Sequence, residues 1–219
     1  MKNDLSIPVQ ITEIFHSIQG ESSHAGKPSA FVRLTGCSLR CVYCDTKYSY
    51  SGGHAMTIGE VLETVSQYPT RLVEITGGEP LEQEAAIPLM EQLLGRGYTV
   101  MLETGGHIRL DRVTEAVIKI IDVKCPDSRE AGTFCQDNIS LAAPHDEFKF
   151  VISSRADYEW SRSFYNENLK SQIQAVLFAP VHEVLPPVRL SEWILSDGLE
   201  VRLGLQVHKY IWGPLVRGV

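Results

Sequence analysis

Three closely spaced cysteines constrain this chain more than any other feature of its sequence. Cys37, Cys41 and Cys44 lie in the stretch FVRLTGCSLRCVYCDT, with three and then two residues between them. Thiolates on so short a loop can bind one inorganic centre, but a four-iron cluster would keep one iron without a protein sulfur. The alternative is a structural zinc site with a fourth ligand from Cys125, Cys135 or a histidine. The spacing favours the cluster.

Composition argues against several classes of protein. The chain has 219 residues, five cysteines and a formal net charge of −7. An odd number of cysteines in a chain of this length is not typical of a disulfide framework. An acidic protein also lacks the basic face that sequence-independent nucleic-acid binding needs. Because no apolar run is long enough for a membrane span and the first residues do not resemble a signal peptide, we expect a cytoplasmic protein with a small-molecule substrate.

The alternation of sequence patterns predicts a parallel α/β fold. Runs rich in β-formers recur about every 20 to 30 residues, and most are separated by segments of helical periodicity. An eight-stranded barrel typically needs about 250 residues, so we expect one domain over residues 1–219, folded as a partial, open (β/α)6-type barrel with reduced or irregular helices. The six predicted strands are Ala30–Thr35, Arg71–Thr76, Tyr98–Glu103, Val117–Lys124, Glu147–Ser153 and Ile173–Phe178, and a last run covers Leu199–Val207.

Two of the connecting segments carry helix signals. Thr57 is expected to cap a helix whose buried face carries Ile58, Val61, Leu62 and Val65. A second helix is predicted over residues 87–94. The stretch 124–146 has no such pattern, and we expect it to form a long loop or lid.

Unusual residue clusters directly follow the predicted strands. Gly77-Gly78-Glu79-Pro80 follows the second strand, Thr104-Gly105-Gly106 follows the third, and Lys124 ends the fourth. In a parallel barrel the loops from several strands meet at this edge, which makes it the expected place for an active site. The paired glycines allow close backbone approach to a ligand, and the Glu79 carboxylate can accept hydrogen bonds from an ammonium group. The alternative for this motif is a plain turn.

Four other polar residues each have two interpretations. Arg33 lies in an apolar strand, so it needs either solvent or a partner such as a substrate carboxylate. Thr46, which follows Asp45, either completes the oxygen shell of a magnesium ion or caps a turn. Lys124 either contacts a cofactor carboxylate or ribose, or caps its strand. His208 is either a ligand contact or a hydrogen-bonded structural histidine.

The cysteine spacing resembles the signature of the radical S-adenosylmethionine (SAM) superfamily. In that superfamily the amino and carboxylate groups of SAM bind the open iron of a [4Fe-4S] cluster, and the reduced cluster passes an electron to the sulfonium to release a deoxyadenosyl radical. Tyr43 matches an aromatic residue that lies beside the adenine in the superfamily. Glu79 matches a motif that holds the amino end of the methionine moiety. The resemblance implies these cofactor roles.

A closer resemblance extends over almost the whole chain. The segments QGE, FVRLTGC, CVYCDT, ITGGEP and QVHKYIWG, with the ending RGV, are similar to those of the 7-carboxy-7-deazaguanine synthase family. The resemblance implies a lyase of queuosine and related deazapurine biosynthesis. Its substrate would be 6-carboxy-5,6,7,8-tetrahydropterin, and a magnesium-dependent radical ring contraction with loss of ammonia would give 7-carboxy-7-deazaguanine. SAM would be reused, because hydrogen taken from C6 of the substrate is later returned.

The resemblance also implies a role for each matching residue, with no side chain needed to initiate the radical. The cluster ligands would be Cys37, Cys41 and Cys44, and the magnesium ligand would be Thr46. The residues around SAM would be Tyr43, Cys44, Asp45, Gly78, Glu79, Thr104, Asp122, Val123 and Lys124. The residues around the substrate would be Ile18, Gln19, Gly20, Glu21, Arg33, Thr76, His208 and Val219, the last through its terminal carboxylate. Asp122-Val123-Lys124 stands where many family members have Ser-Pro-Lys.

The resemblance implies a flavodoxin- or ferredoxin-type reductant and a homodimer, with neither nucleic acid nor a membrane as partner. Among enzymes, the alternative is an activase for a glycyl-radical enzyme. It shares the cysteine spacing, but it would need a docking surface for a large protein instead of a small-molecule pocket. A zinc-stabilised binding module is the alternative outside enzymes. Cys125 and Cys135 are interpreted as free thiols.

Overall fold

A computed structural model describes residues 5–219, and the first four residues of the expected domain lie outside it. These residues form one nine-stranded sheet in the order β3-β1-β2-β4-β5-β6-β7-β8-β9. All neighbours from β2 to β9 are parallel, and β1 is antiparallel to both β2 and β3. The strands are β1 Pro8–Ile18, β2 Pro28–Leu34, β3 His54–Thr57, β4 Leu72–Gly77, β5 Thr99–Thr104, β6 Ile118–Asp122, β7 Glu147–Ile152, β8 Ala175–Pro180 and β9 Arg202–Leu203.

Six α-helices accompany the sheet in the described part of the chain. They are α1 Ile58–Ser66, α2 Ala86–Gly95, α3 Asn138–Leu141, α4 Arg155–Phe164, α5 Pro187–Asp197 and α6 Val207–Trp212. Only short turns join β5 to β6, and α3 is a single turn between β6 and β7. The sheet remains open because its two edges, β3 and β9, do not pair. The expected open barrel with reduced helices is therefore confirmed.

The six predicted strands correspond to β2 and β4 to β8, with ends that differ by at most two residues. Two expectations at the ends of the chain were wrong. Ala30–Thr35 is not the first strand, because the eleven residues of β1 precede it and the QGE segment therefore lies between β1 and β2. The run Leu199–Val207 contains only a two-residue strand, and α6 begins at Val207, so His208 lies on a helix.

The predicted start of the first helix is confirmed at Thr57. Its hydroxyl accepts a hydrogen bond from the Glu60 backbone N–H, and the Glu60 carboxylate accepts one from the Thr57 backbone N–H at 2.6 Å. This reciprocal pair is a capping box, which satisfies two backbone donors that the first helical turn cannot. The four predicted apolar residues of α1 are all buried.

The connection at 124–146 is folded against its neighbours rather than standing open as a lid. The Asn138 side chain donates to the carbonyls of Gly106 and Ile108 and accepts from the Leu110 N–H, all within 3.0 Å. Nearer its start, the Ser128 carbonyl accepts a hydrogen bond from Val42 in the cysteine loop. The connection therefore supports two of the loops at the edge where the site is expected.

Because side chains alternate along each strand, the two faces of the sheet carry different clusters of buried residues. One face of the parallel strands packs against the helices in the main hydrophobic core. The other face holds a small apolar cluster of Leu72, Met101 and Ile120. Glu74 and Glu103 lie two residues further along β4 and β5, on the same face because strand side chains alternate with period two. Charged groups therefore lie between this apolar floor and the carboxyl-terminal edge of the sheet.

Within residues 5–219, no helix combines the length and the apolar character that crossing a bilayer would require.

We predict that Lys119→Met lowers the free energy of unfolding by about 3 kcal/mol, the cost of breaking a buried ion pair. Lys119 and Asp146 are each 1% exposed, and their ion pair, at 3.0 Å, lies near the amino ends of β6 and β7, away from the cysteine loop. Denaturant unfolding of the iron-free protein measures the change, with the exposed Lys170→Met as the matched control. Equal stability of the two variants would contradict the prediction.

Candidate active site

The carboxyl-terminal ends of the parallel strands surround a cavity of about 490 Å³. Nearly all residues that the sequence predicts for a site line this cavity. The exception is Val123, which is fully buried in the hydrophobic core, while its backbone N–H donates to the Lys149 carbonyl at 2.7 Å. Cys125 and Cys135 are not among the lining residues, so neither supplies a fourth zinc ligand there. The QGE segment and His208 of the tail also line this cavity, which counts against the activase interpretation.

The cysteine loop is held against the GGEP turn by backbone contacts. The Glu79 N–H donates to the Gly36 carbonyl at 2.8 Å, and the Gly78 N–H donates to the Leu34 carbonyl at 3.2 Å. A side chain at Gly78 would collide with the Gly36 carbonyl and with Cβ of Cys37. Glycine at position 78 therefore permits the close approach of the two loops.

The three clustered cysteines are free thiols, and all three line the cavity. Burial raises the pKa of the Cys37 thiol to about 11 and also raises that of Cys41. Bound iron would reverse this shift, because a metal ion deprotonates a coordinating thiol. Among residues 5–219 no three ligand side chains surround a single metal position. A cubane does not need such an arrangement, since each cysteine binds a different iron. The donor set therefore fits a cluster.

Glu79 is a buried carboxylate that joins two loops. It is 1% exposed and accepts hydrogen bonds from the Leu81 N–H, the Gly105 N–H and the Thr104 hydroxyl, all within 3.0 Å. Burial raises the pKa of Glu79, although these donors oppose the shift. Thr104, which was predicted to contact the cofactor, thus donates a hydrogen bond to Glu79. These contacts fix the GGEP and ETGG turns relative to each other.

Asp122 and Lys124 form an ion pair at 2.9 Å at the end of β6. Burial disfavours the charged form of Lys124, but the Asp122 carboxylate outweighs this effect and raises the pKa of Lys124. The second carboxylate oxygen of Asp122, Oδ1, is buried without a hydrogen-bond partner. An unpartnered acceptor in the lining of the cavity fits a ligand hydroxyl such as that of a ribose.

Arg33 lines the cavity and has a partner within the protein, so the interpretation in which it only reaches solvent is wrong. Its Nε donates to Glu13 Oε1 at 2.8 Å, and the Tyr48 hydroxyl donates to the same oxygen at 2.8 Å. The guanidinium also lies 5.9 Å from the centre of the Phe15 ring. These contacts orient a guanidinium toward a cavity in which a carboxylate-bearing ligand would fit.

Sequence reasoning missed a buried ionic cluster around Lys149. The Lys149 ammonium contacts Glu21 at 2.9 Å, Asp122 at 3.8 Å and Glu103. Burial opposes the charged form of Lys149, but the Glu103 and Glu21 carboxylates raise its pKa. Burial likewise favours neutral Glu21, yet the Lys149 charge lowers the pKa of Glu21 to about 2.

Glu74 lies beside this cluster and was also missed. It is 3% exposed and accepts a hydrogen bond from the Gln19 amide. Burial raises the pKa of Glu74 well above its usual value, and the negative charges of Glu103 and Glu21 act in the same direction. The sequence did contain a usable signal, because Glu74, Glu103 and Lys149 are charged residues inside predicted strands, as Arg33 is.

The C-terminal segment covers the cavity. The Val207 N–H donates to the Gly20 carbonyl at 2.8 Å, which brings His208 against the QGE segment. Lys209 forms an ion pair with Asp45 at 2.6 Å. Residues 214–219, including Val219, are among the lining residues. The sequence predicted His208 and Val219 at the site but not Lys209.

Asp45 and Thr46 lie together just after the last clustered cysteine. The Thr46 hydroxyl donates to Asp45 Oδ1 at 2.9 Å, and Lys209 occupies Oδ2 of the same carboxylate. Burial favours the neutral acid, but the Lys209 ammonium outweighs it and lowers the pKa of Asp45. Thr46 therefore lies at the cavity with its hydroxyl beside an ionised carboxylate.

Comparison with known proteins identifies the family to which this chain belongs. Residues 31–179 match the radical SAM superfamily, and the chain therefore belongs to that superfamily. A 7-carboxy-7-deazaguanine synthase of Koribacter versatilis (strain Ellin345) is 48% identical, over 96% of this chain and 100% of the relative. One from Chlorobaculum tepidum is 47% identical, over 97% and 98%. Within the superfamily, this chain belongs to the 7-carboxy-7-deazaguanine synthase family.

Solved structures show the same fold at lower identity. QueE from Escherichia coli aligns with a TM-score of 0.79 over 95% of this chain and 99% of the QueE chain, at 23% identity. Streptococcus suis SuiB bound to S-adenosylmethionine aligns with a TM-score of 0.59 over 78% of this chain and 48% of the SuiB chain, at 14% identity. These two structures support the fold alone.

We predict that Gly20→Ala raises the KM for the substrate about tenfold, a loss of about 1.4 kcal/mol. The added methyl group would collide with the His208 ring and move α6 away from the QGE segment. Gly132→Ala is the matched control, because no heavy atom lies within 4 Å of its added methyl group. Steady-state kinetics on protein of equal iron content measures the effect. An unchanged KM in Gly20→Ala would show that this contact does not shape the site.

Proposed function

We propose that this chain converts 6-carboxy-5,6,7,8-tetrahydropterin to 7-carboxy-7-deazaguanine, with loss of ammonia, in queuosine and related 7-deazapurine biosynthesis. The chain is a radical SAM lyase, and its family binds a [4Fe-4S] cluster and SAM. Relatives with this activity in their names align over essentially their whole length. The observation that carries the proposal is that three free thiols and a set of ionised side chains line one cavity.

The cofactor side of the cavity comprises the cysteine loop and the ends of β4 to β6. When bound, the cluster and SAM supply the radical that abstracts hydrogen, and the protein positions them. We propose that Cys37, Cys41 and Cys44 hold the cluster. Glu79 would accept the SAM ammonium, and Asp122 Oδ1 would accept a ribose hydroxyl. Supporting contacts to SAM would come from Tyr43, Asp45, Gly78, Thr104, Lys124 and the backbone of Val123.

The substrate side comprises the ends of β1 and β2 and the C-terminal segment. We propose that Arg33 binds the substrate carboxylate, because its guanidinium is held toward the cavity by Glu13. The pterin ring would lie among the remaining predicted substrate residues, which are Ile18, Gln19, Gly20, Glu21, Thr76, His208 and Val219. Of these, Gln19 and Glu21 are already held in place by Glu74 and Lys149, so the site is preorganised.

Magnesium would bind at Thr46 together with a substrate carboxylate. Mg²⁺ usually keeps several waters and needs only one or two protein oxygens, so a single hydroxyl is sufficient beside a substrate oxygen. The Thr46 hydroxyl donates its proton to Asp45 at 2.9 Å, which leaves the lone pairs of its oxygen available to a cation.

We predict that Thr46→Ala loses most of the stimulation by magnesium, because the variant lacks the ligand oxygen, and that it retains its iron content. Thr46→Ser, which keeps the hydroxyl, is the matched control. Product formation over a magnesium titration measures the effect. Equal stimulation of Thr46→Ala and the unchanged protein would remove this role from Thr46.

The proposed partners follow from the chemistry of the family. A flavodoxin- or ferredoxin-type protein would reduce the cluster, and two copies of the chain would form a homodimer. Residues 1–219 would act as one domain. We place the enzyme in the cytoplasm, where the free thiols seen at the site remain reduced and available to iron.

The deciding experiment is anaerobic reconstitution with iron and sulfide, followed by addition of SAM, magnesium, a reductant and 6-carboxytetrahydropterin. Mass spectrometry is expected to detect 7-carboxy-7-deazaguanine, and Cys41→Ala, which lacks one cluster ligand, should give none. Cleavage of SAM without this product would favour the activase alternative. Binding of zinc with no visible absorbance from iron would favour the binding-module alternative.

A further inference from the structure

Three loops of the cofactor side meet at the imidazole of His107. Its Nε2 lies 3.3 Å from the Ser38 hydroxyl and 3.5 Å from Glu82 Oε1. Its Nδ1 lies 3.7 Å from Glu79 Oε2. Ser38 follows the cluster ligand Cys37, while Glu79 and Glu82 belong to the GGEP turn and its continuation. The ring of His107 therefore connects the ETGG, GGEP and cysteine loops.

The second carboxylate of this group holds the cysteine loop. Glu82 Oε1 accepts a hydrogen bond from the Ser38 backbone N–H at 2.7 Å. Burial favours the neutral acid, but the hydrogen bonds from Ser38 and His107 lower the pKa of Glu82. The peptide next to Cys37 is thus fixed by a carboxylate that also contacts the His107 ring.

The ring nitrogen of His107 on the side of Glu79 can form one more hydrogen bond. Nδ1 of His107 is buried and has no hydrogen-bond partner. A buried polar nitrogen without a partner is costly and calls for an explanation. Glu79 is the nearest charged group on that side, so a sub-ångström movement of its carboxylate would complete a hydrogen bond.

We propose that His107 is a positioning residue for SAM. Its Nδ1 supports the ionised carboxylate of Glu79, and its Nε2 ties the same ring to Ser38 and so to the cysteine loop. The physical need is clear from burial, because a carboxyl that is 1% exposed binds an ammonium strongly only when it stays ionised. This inference rests on the proposed role of Glu79 as the acceptor of the SAM ammonium.

The two ring nitrogens can be tested separately by amide substitutions. An asparagine amide places its N–H₂ near the position of Nδ1, and a glutamine amide places it near Nε2, so each retains one half of the contact. His107→Asn should keep the support of Glu79, and His107→Gln should lose it. His107→Leu should lose both halves. His145→Gln is the matched control, because His145 lies just before the amino-terminal end of β7 and its side chain is 45% exposed.

The measurement is the Kd of SAM on reconstituted protein, by equilibrium dialysis, with iron content and the change in the cluster's electron paramagnetic resonance on adding SAM as further readouts. We expect about tenfold weaker SAM binding in His107→Gln and His107→Leu, the scale of one lost hydrogen bond to a charged group. His107→Asn and His145→Gln should bind SAM as the unchanged protein does, and iron content should stay constant throughout. Unchanged SAM affinity in His107→Leu would overturn the inference, and so would the reverse order of the Asn and Gln variants.

Glu79→Gln distinguishes failure of this inference from failure of the role on which it rests. If Glu79→Gln leaves SAM affinity unchanged, the proposed role of Glu79 falls and the inference falls with it. If Glu79→Gln weakens binding but His107→Leu does not, only the inference fails. Because His107 is proposed to act through Glu79, His107→Leu should have little further effect in the Glu79→Gln background. Full additivity of the two substitutions would contradict the coupling.

Discussion

The buried ammonium of Lys149 is the charge around which the cavity is organised. An unpaired charge in this position would be strongly destabilising, so carboxylates must reach it. They come from separate elements, with Glu103 on β5, Asp122 on β6 and Glu21 from the segment after β1. The ionic cluster therefore links the segment that follows the antiparallel strand β1 to three of the parallel strands, β5, β6 and β7.

This arrangement also links the two halves of the site. Asp122 contacts both Lys149, which holds Glu21 of the proposed substrate side, and Lys124 of the proposed cofactor side, and it still keeps one buried oxygen without a partner. A ligand that hydrogen-bonds to that oxygen would satisfy the group without breaking either ion pair. The electrostatic network therefore provides a rigid wall that two different ligands can share, which suits a reaction between their neighbouring atoms.

Local signals in the sequence predicted most of the fold and the cofactor loop. The Thr57 capping box and the apolar strands are specified by neighbouring residues, and the cysteine spacing is specified within one loop. β1 was missed because its alternation of apolar and polar residues breaks at an irregularity between Ile11 and Glu13, and its place is fixed by pairing with β2 and β3. Glu74, Glu103 and Lys149 were missed because strand alternation does not say which face meets a cavity. A charged residue within an apolar strand needs a partner, as was argued for Arg33. The same rule would have identified all three of these residues.

Sequence reasoning could not predict which loop the C-terminal segment contacts. Lys209 pairs with Asp45, and the Arg217 guanidinium lies 4.0 Å from the centre of the Tyr48 ring, so both contacts reach the segment that follows the last clustered cysteine. Tyr48 in turn donates to Glu13, the partner of Arg33. The same few contacts therefore both cover the cavity and order the chain beside the three clustered cysteines. A change in the C-terminal segment should therefore alter the cysteine loop as well as the cavity. Side-chain contacts, rather than the sheet, join the C-terminal segment to that loop.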